Sequence, residues 1–116
     1  LEIIQQTELI TMANGSPGRL MENLNFWNEI PDSLWPKLEN LPTKAIDALS
    51  LAKEINENLD IEQQIWLIKW LQNKSWNQTK NNIVVKRLEK LRSHLISFVQ
   101  PRIAWEVTLL ELIEDN

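Results

Sequence analysis

The sequence has no cysteine, so neither a disulfide nor a thiolate metal site can belong to its fold, and a reducing compartment fits that composition. It has a single histidine, His94, without the Glu-x-x-His or His-x-x-x-His spacing that would set two ligands on one helical face. Ser93 and Ser97 flank His94, but such neighbours do not assemble a nucleophile, a base and an oxyanion donor. Catalysis is therefore not expected, nor is a metal or cofactor. Glycine occurs only at Gly15 and Gly18, which predicts a helix cap there and excludes a Walker-type phosphate loop. No apolar run approaches the roughly 18 residues of a membrane span. The stretch from Leu1 to Met12 carries Glu2 and Glu8 but no basic residue, unlike the start of an export signal. A cytoplasmic location is expected, and the Asn77-Gln78-Thr79 sequon is then a coincidence.

What is present is an ordinary globular composition, 43% apolar and 24% charged over 116 residues, enough for one compact domain or one domain with a piece of another. An apolar period already under way at Leu1 predicts that the natural chain continues upstream. No segment shows sustained period-2 alternation, so strands are not expected and the fold class is all-α. Helices are predicted from about Leu1 to Met12, from Pro17 through Leu20, Leu24 and Trp27, from Asp32 to Asn40, and from Thr43 to Asn58. In the last of these Ala45, Leu49, Ala52, Ile55 and Leu59 share a face. Asn14-Gly15 closes the first helix in the left-handed conformation, and Ser16 with Pro17 opens the second, giving a tight corner. Asp60 with Gln63 forms a capping box for a fifth helix whose apolar residues surround it, which predicts a central position in a bundle. The polar stretch 73–82 reads as a loop. A sixth helix steps through Val84, Leu88, Leu91, Leu95 and Phe98, and a seventh restarts after Pro101 through Ile103, Val107, Leu110 and Ile113. The break at Asn28 to Pro31 sets a domain boundary, dividing the chain into residues 1–30 and 31–116.

Charge is unevenly spread. Between Lys69 and Arg102 eight basic residues face one acidic residue, Glu89, while the rest of the chain is strongly acidic. Interleaved with Trp66, Trp70 and Trp76, this stretch follows the recipe for single-stranded nucleic acid, with Lys80, Lys86, Arg87, Lys90 and Arg92 as the candidate contacts. The opposite reading makes Trp66 and Trp70 core residues and the basic side chains a solvated face. Six tryptophans in so small a chain also suggest subunit contacts, where this residue is enriched. Trp76, in the polar stretch, is either a lid on the bundle or a partner contact. Trp105 is the other interface candidate, weighed against burial, and Arg102 and Glu106, one turn apart, either pair with each other or bond a neighbouring subunit.

Two stretches carry a resemblance. The run from Glu8 to Leu20, with its corner Gly15-Ser16-Pro17-Gly18, and the run from Phe98 to Leu112, in which Gln100-Pro101 leads to Glu106 and then to Leu109, Leu110 and Leu112, resemble the C-terminal half of the delta-prime subunit of the bacterial DNA polymerase III clamp loader. The resemblance implies that residues 1–30 end an AAA+ lid and residues 31–116 form a helical collar joining five subunits. It further implies a non-catalytic scaffold, with gamma/tau-like and delta-like subunits as partners, in a loader that places the sliding clamp on primed DNA, touching DNA through the whole complex in the nucleoid. ATPase relatives carry Gly-Ser-x-Arg at the corner. Here Gly18 takes the fourth place and Arg19 follows it, a shift of about 100° around the helix that argues against nucleotide sensing.

Overall fold

Helix boundaries follow the capping chemistry written into the chain. The computed structural model describes residues 2–80 and 82–115; Leu1, Asn81 and Asn116 lie outside the described residues, so the expected first residue of the first helix and part of the expected 73–82 loop are not among them. Seven helices are present, α1 (Ile3–Ala13), α2 (Pro17–Glu29), α3 (Trp35–Glu39), α4 (Ala45–Asn58), α5 (Ile61–Thr79), α6 (Asn82–Ile96) and α7 (Pro101–Glu114), with no strand among the described residues. Asn14 and Gly15 take left-handed φ values of 48° and 80°, and Ser16 Oγ accepts from the Arg19 backbone N–H at 3.3 Å with Pro17 at the first helical position. Asp60 and Gln63 exchange their two bonds at 2.8 and 2.9 Å. The expected corner and capping box both form.

The expected loop is a first departure. Residues 73–79 are not a loop: α5 runs on to Thr79 and ends where Lys80 adopts a left-handed φ of 52°. The polar residues of this stretch are compatible with helix, and the buried Lys74 holds it against the bundle through Glu39.

α5 is the organising element, packing against α1, α2 and α6, while α7 closes the bundle between α4 and α6. Trp66, Leu67, Ile68, Trp70 and Leu71 of α5 are buried, as its all-round apolar pattern requires. One hydrophobic cluster runs across Pro31, from Leu9 and Trp27 on one side to Trp35, Leu38 and Trp70 on the other. Trp27 and Trp35 stack with centroids 3.7 Å apart, and Trp35 meets Trp70 edge-on at 5.0 Å. The Cα radius of gyration, 13.6 Å, is that of a single compact body, for which about 13 Å is expected at this length.

Two buried carboxamides tie the layers together. Asn23 donates to the Leu9 carbonyl at 3.1 Å and accepts from the Trp66 indole N–H at 2.8 Å, linking α1, α2 and α5. Gln64 donates to the Leu59 carbonyl at 3.0 Å and accepts from the Trp105 indole N–H at 2.9 Å, linking the end of α4, α5 and α7. A third polar contact is less complete. The buried Lys74 ammonium bonds both the carbonyl and the carboxylate of Glu39 and lies 5.1 Å above the Trp70 ring. Glu8 of α1 joins this cluster with one carboxylate oxygen buried and unpaired, as is one oxygen of Glu39. Burial first, then the Glu39 charge, push the Glu8 carboxyl above the ordinary carboxylate range, against the pull of Lys74 and of the Trp70 indole N–H, which faces it without reaching bonding geometry.

These contacts generate two predictions. Gln64→Met strands the buried Trp105 N–H and the Leu59 carbonyl, so urea unfolding should show a loss of about 1–3 kcal/mol; a double-mutant cycle with Trp105→Phe should then show non-additivity, and simple additivity would contradict the bridge. For Glu8, a raised folded-state pKa means that its contribution to stability is full below the unfolded value near 4.5 and is lost as pH climbs through the folded one. The stability difference between Glu8→Gln and the parent should therefore shift in the variant's favour from pH 4.5 to pH 7, and a flat difference would show that Glu8 titrates normally.

Candidate interaction surface

The C-terminal end of α6 is built against its own residue preferences. Phe98 N–H bonds the Leu95 carbonyl at 3.3 Å and Val99 N–H the His94 carbonyl at 3.0 Å, the paired closure of a Schellman motif, which places Phe98 at the position that glycine usually takes. Phe98 accordingly sits at φ 63°, where a Cβ costs roughly 1–2 kcal/mol. The sequence pattern puts Phe98 on the buried edge of the sixth helix. The structure corrects this: the helix stops at Ile96 and the Phe98 ring is 96% exposed. Pro101 is the signal for the early stop, since it biases Gln100 away from helix and the chain must turn before it.

α7 also turns a different face inward from the one expected. Ala104, Trp105, Thr108, Leu109 and Leu112 are buried, whereas Ile103 and Val107 are about half exposed. The helix is apolar on all sides, so periodicity alone cannot choose its inner face. The choice leaves a stripe of Val99, Ile103 and Val107 at intervals of four on the outside, continued at the turn by Ile96 and Phe98. Arg102 and Glu106 flank this stripe and approach one another to 3.7 Å, consistent with the weak helical pair anticipated from their spacing. Trp105 is not on it. Wholly buried and bonded to Gln64, it has no surface to offer a partner.

Trp76 lies on the last turn of α5, 46% exposed, with the Lys80 ammonium 5.2 Å from its ring centroid, so it is the sole tryptophan outside the core: Trp27, Trp35, Trp66, Trp70 and Trp105 are all buried. Of the three tryptophans in the nucleic-acid recipe, only Trp76 remains exposed.

The basic half is reduced as well. Arg87 bonds Glu111 and, at 3.0 Å, Asp115; Arg92 is bidentate with Glu89; Lys74 pairs with Glu39 and Arg102 with Glu106. The Arg92 guanidinium, followed by the Gln72 amide, holds the Glu89 carboxyl below the usual carboxylate range. Four of the five acids used come from outside the basic stretch, and four of its eight basic residues are paired within the molecule. Of the candidate contacts, Arg87 and Arg92 are committed to these pairs. Lys80, Lys86 and Lys90 are exposed and form no ion pair within 4.0 Å among the described residues. No group of three or more His, Cys, Asp or Glu side chains able to hold a metal occurs among the described residues, and no helix there is long and apolar enough to cross a membrane.

Residues 1–112 match the family described as cyanobacterial DNA polymerase III delta prime, C-terminal domain. No curated protein and no solved structure matches the chain.

Proposed function

We propose, for a chain that belongs to the family of cyanobacterial DNA polymerase III delta-prime C-terminal domains, that it joins a clamp-loader subunit to its neighbours through the face formed by the α6–α7 turn and the outer side of α7. In this reading residues 1–30 are the end of an AAA+ lid and residues 31–116 the collar. The neighbours are gamma/tau-like and delta-like subunits, and the assembled ring places the sliding clamp on primed DNA in the cytoplasm. The chain contributes surface and rigidity, and the chemistry belongs to other parts of the loader.

The observation that carries the proposal is Phe98. A phenylalanine held at φ 63° and almost wholly exposed costs stability through its backbone and gains none through burial, and such a conflict is a pointer to function. Adjoining it, Ile96, Val99, Ile103 and Val107 supply an apolar centre, with Arg102 and Glu106 as its polar edge, the arrangement of an interface with a buried core and a charged rim. Trp76, exposed at the end of α5 with Lys80 over its ring, is a second contact in this reading.

Phe98→Gly separates the two roles. The isolated chain should gain about 1 kcal/mol against urea, because glycine adopts the left-handed region freely, while assembly of the variant subunit with gamma/tau-like and delta-like subunits should weaken by at least about 2 kcal/mol, the scale of a hot spot. Ile103→Glu with Val107→Glu should abolish assembly with little change in folding. Assembly unaffected by either change would refute this face as the junction.

A further inference from the structure

A groove of about 630 Å³ opens between α1, α2 and α5, well away in the chain from the α6–α7 turn. Its apolar floor includes Phe26, Ile65 and Trp66, with the Phe26 and Trp66 rings stacked at 5.6 Å. Its walls are charged, and the charges are sorted. Along α5 the lining residues are Glu62, Ile65, Lys69 and Asn73, at helical steps that span about 16 Å. A neighbouring hollow joins Phe26 and Glu29, late in α2, to Asp60 and Glu62, at the start of α5, so the two helices run in opposite directions along the groove. Arg19, at the start of α2, therefore falls at the Lys69 end, and the carboxylates of Glu22, Glu29, Asp60 and Glu62, which share the neighbouring hollow, lie toward the other, with Glu22 one turn along α2 from Arg19.

The basic end holds no ion pair among the described residues. Arg19 has no side-chain hydrogen bond or ion pair among the described residues, and Lys69 has no carboxylate within 4.0 Å there, although its charge acts on Glu89 at longer range. Asn73, which also lines the groove, has a buried amide nitrogen with no partner, a deficit that ordinarily costs about 1–3 kcal/mol.

We infer that this groove binds a segment of another protein chain that places an aspartate or glutamate at the Arg19–Lys69 end and a large apolar side chain on the Phe26–Ile65 floor, with a lysine or arginine directed to the Glu62 end. The polarity fixes the direction in which the segment lies. A uniformly acidic partner meets the carboxylates of Glu22, Glu29, Asp60 and Glu62 beyond the basic end, and a uniformly basic one meets Arg19 and Lys69, so neither fits along its whole length. The surface is separate from the α7 face, and the inference holds whether or not that face joins loader subunits.

Selection of random 12-residue displayed peptides on the intact chain tests it. Enriched peptides should combine an acidic residue with a large apolar residue about one helical turn away, should perturb the Asn73 side-chain amide and Met12 methyl NMR signals on binding, and should bind Arg19→Glu/Lys69→Glu at least tenfold more weakly. Both substituted residues are exposed, so the variant should keep its fold, checked by its thermal melt. Phe98→Gly should bind the same peptides unchanged, which distinguishes this groove from the turn. Absence of enrichment, enrichment of basic peptides, or equal binding to the double variant would overturn the inference.

Discussion

Indole N–H groups are the polar liability of a tryptophan-rich core, and the fold depends on how they are satisfied. Trp66 and Trp105 are each met by a carboxamide buried beside them, Asn23 and Gln64; Asn23 spends its own N–H on a carbonyl of α1 and Gln64 on the Leu59 carbonyl that closes α4. A hydrophobic contact alone tolerates sliding, whereas these bridges fix the register of α1 and α2 on α5 and of α7 on the α4–α5 junction. Trp35 and Trp70 show the other outcome: neither indole nitrogen finds a partner. Both sit in the cluster where Glu8 and Glu39 also leave oxygens unpaired and where Lys74 supplies one positive charge for two carboxyls. That corner is over-supplied with polar groups, and its charge balance is the part of the core that responds to protons.

Charge follows the same logic on the outside. The stretch from Lys69 to Arg102 looks like a cationic surface while it is a line of letters, but the acidic remainder folds back onto it through Glu39, Glu106, Glu111 and Asp115. Half of the asymmetry is a set of instructions for internal pairing: Arg87 pins the end of α7 to α6, and Lys74 pins α3 to α5. What remains exposed is a set of scattered lysines, weaker as a nucleic-acid surface than the unfolded count implies.

Much of the fold was legible because capping is local chemistry. Asn14-Gly15-Ser16-Pro17 and Asp60 to Gln63 specify their turns within four residues, and the all-round apolar character of α5 specifies its central place. The errors are equally physical. Residues 73–79 are polar enough for a loop, yet Lys74 is drawn into the bundle by Glu39, thirty-five residues away in sequence, and the helix follows. The inner face of α7 depends on where Trp105 finds Gln64, a pairing across forty-one residues that no periodicity records. Phe98 was misplaced because a 3–4 spacing continues smoothly past the point where the backbone has already left the helix.

That last error is the informative one. A chain optimised for its own stability would put glycine where Phe98 stands and would turn the apolar stripe of Val99, Ile103 and Val107 inward or replace it with charge. Neither has happened, and α7 could not solve the problem by rotating, because its other side is already occupied by Trp105, Leu109 and Leu112 in the core. A helix that is apolar on every side can be buried on every side only if a second molecule covers what the first leaves open. The strained turn and the uncovered stripe beside it are thus the two features on which the proposed junction rests.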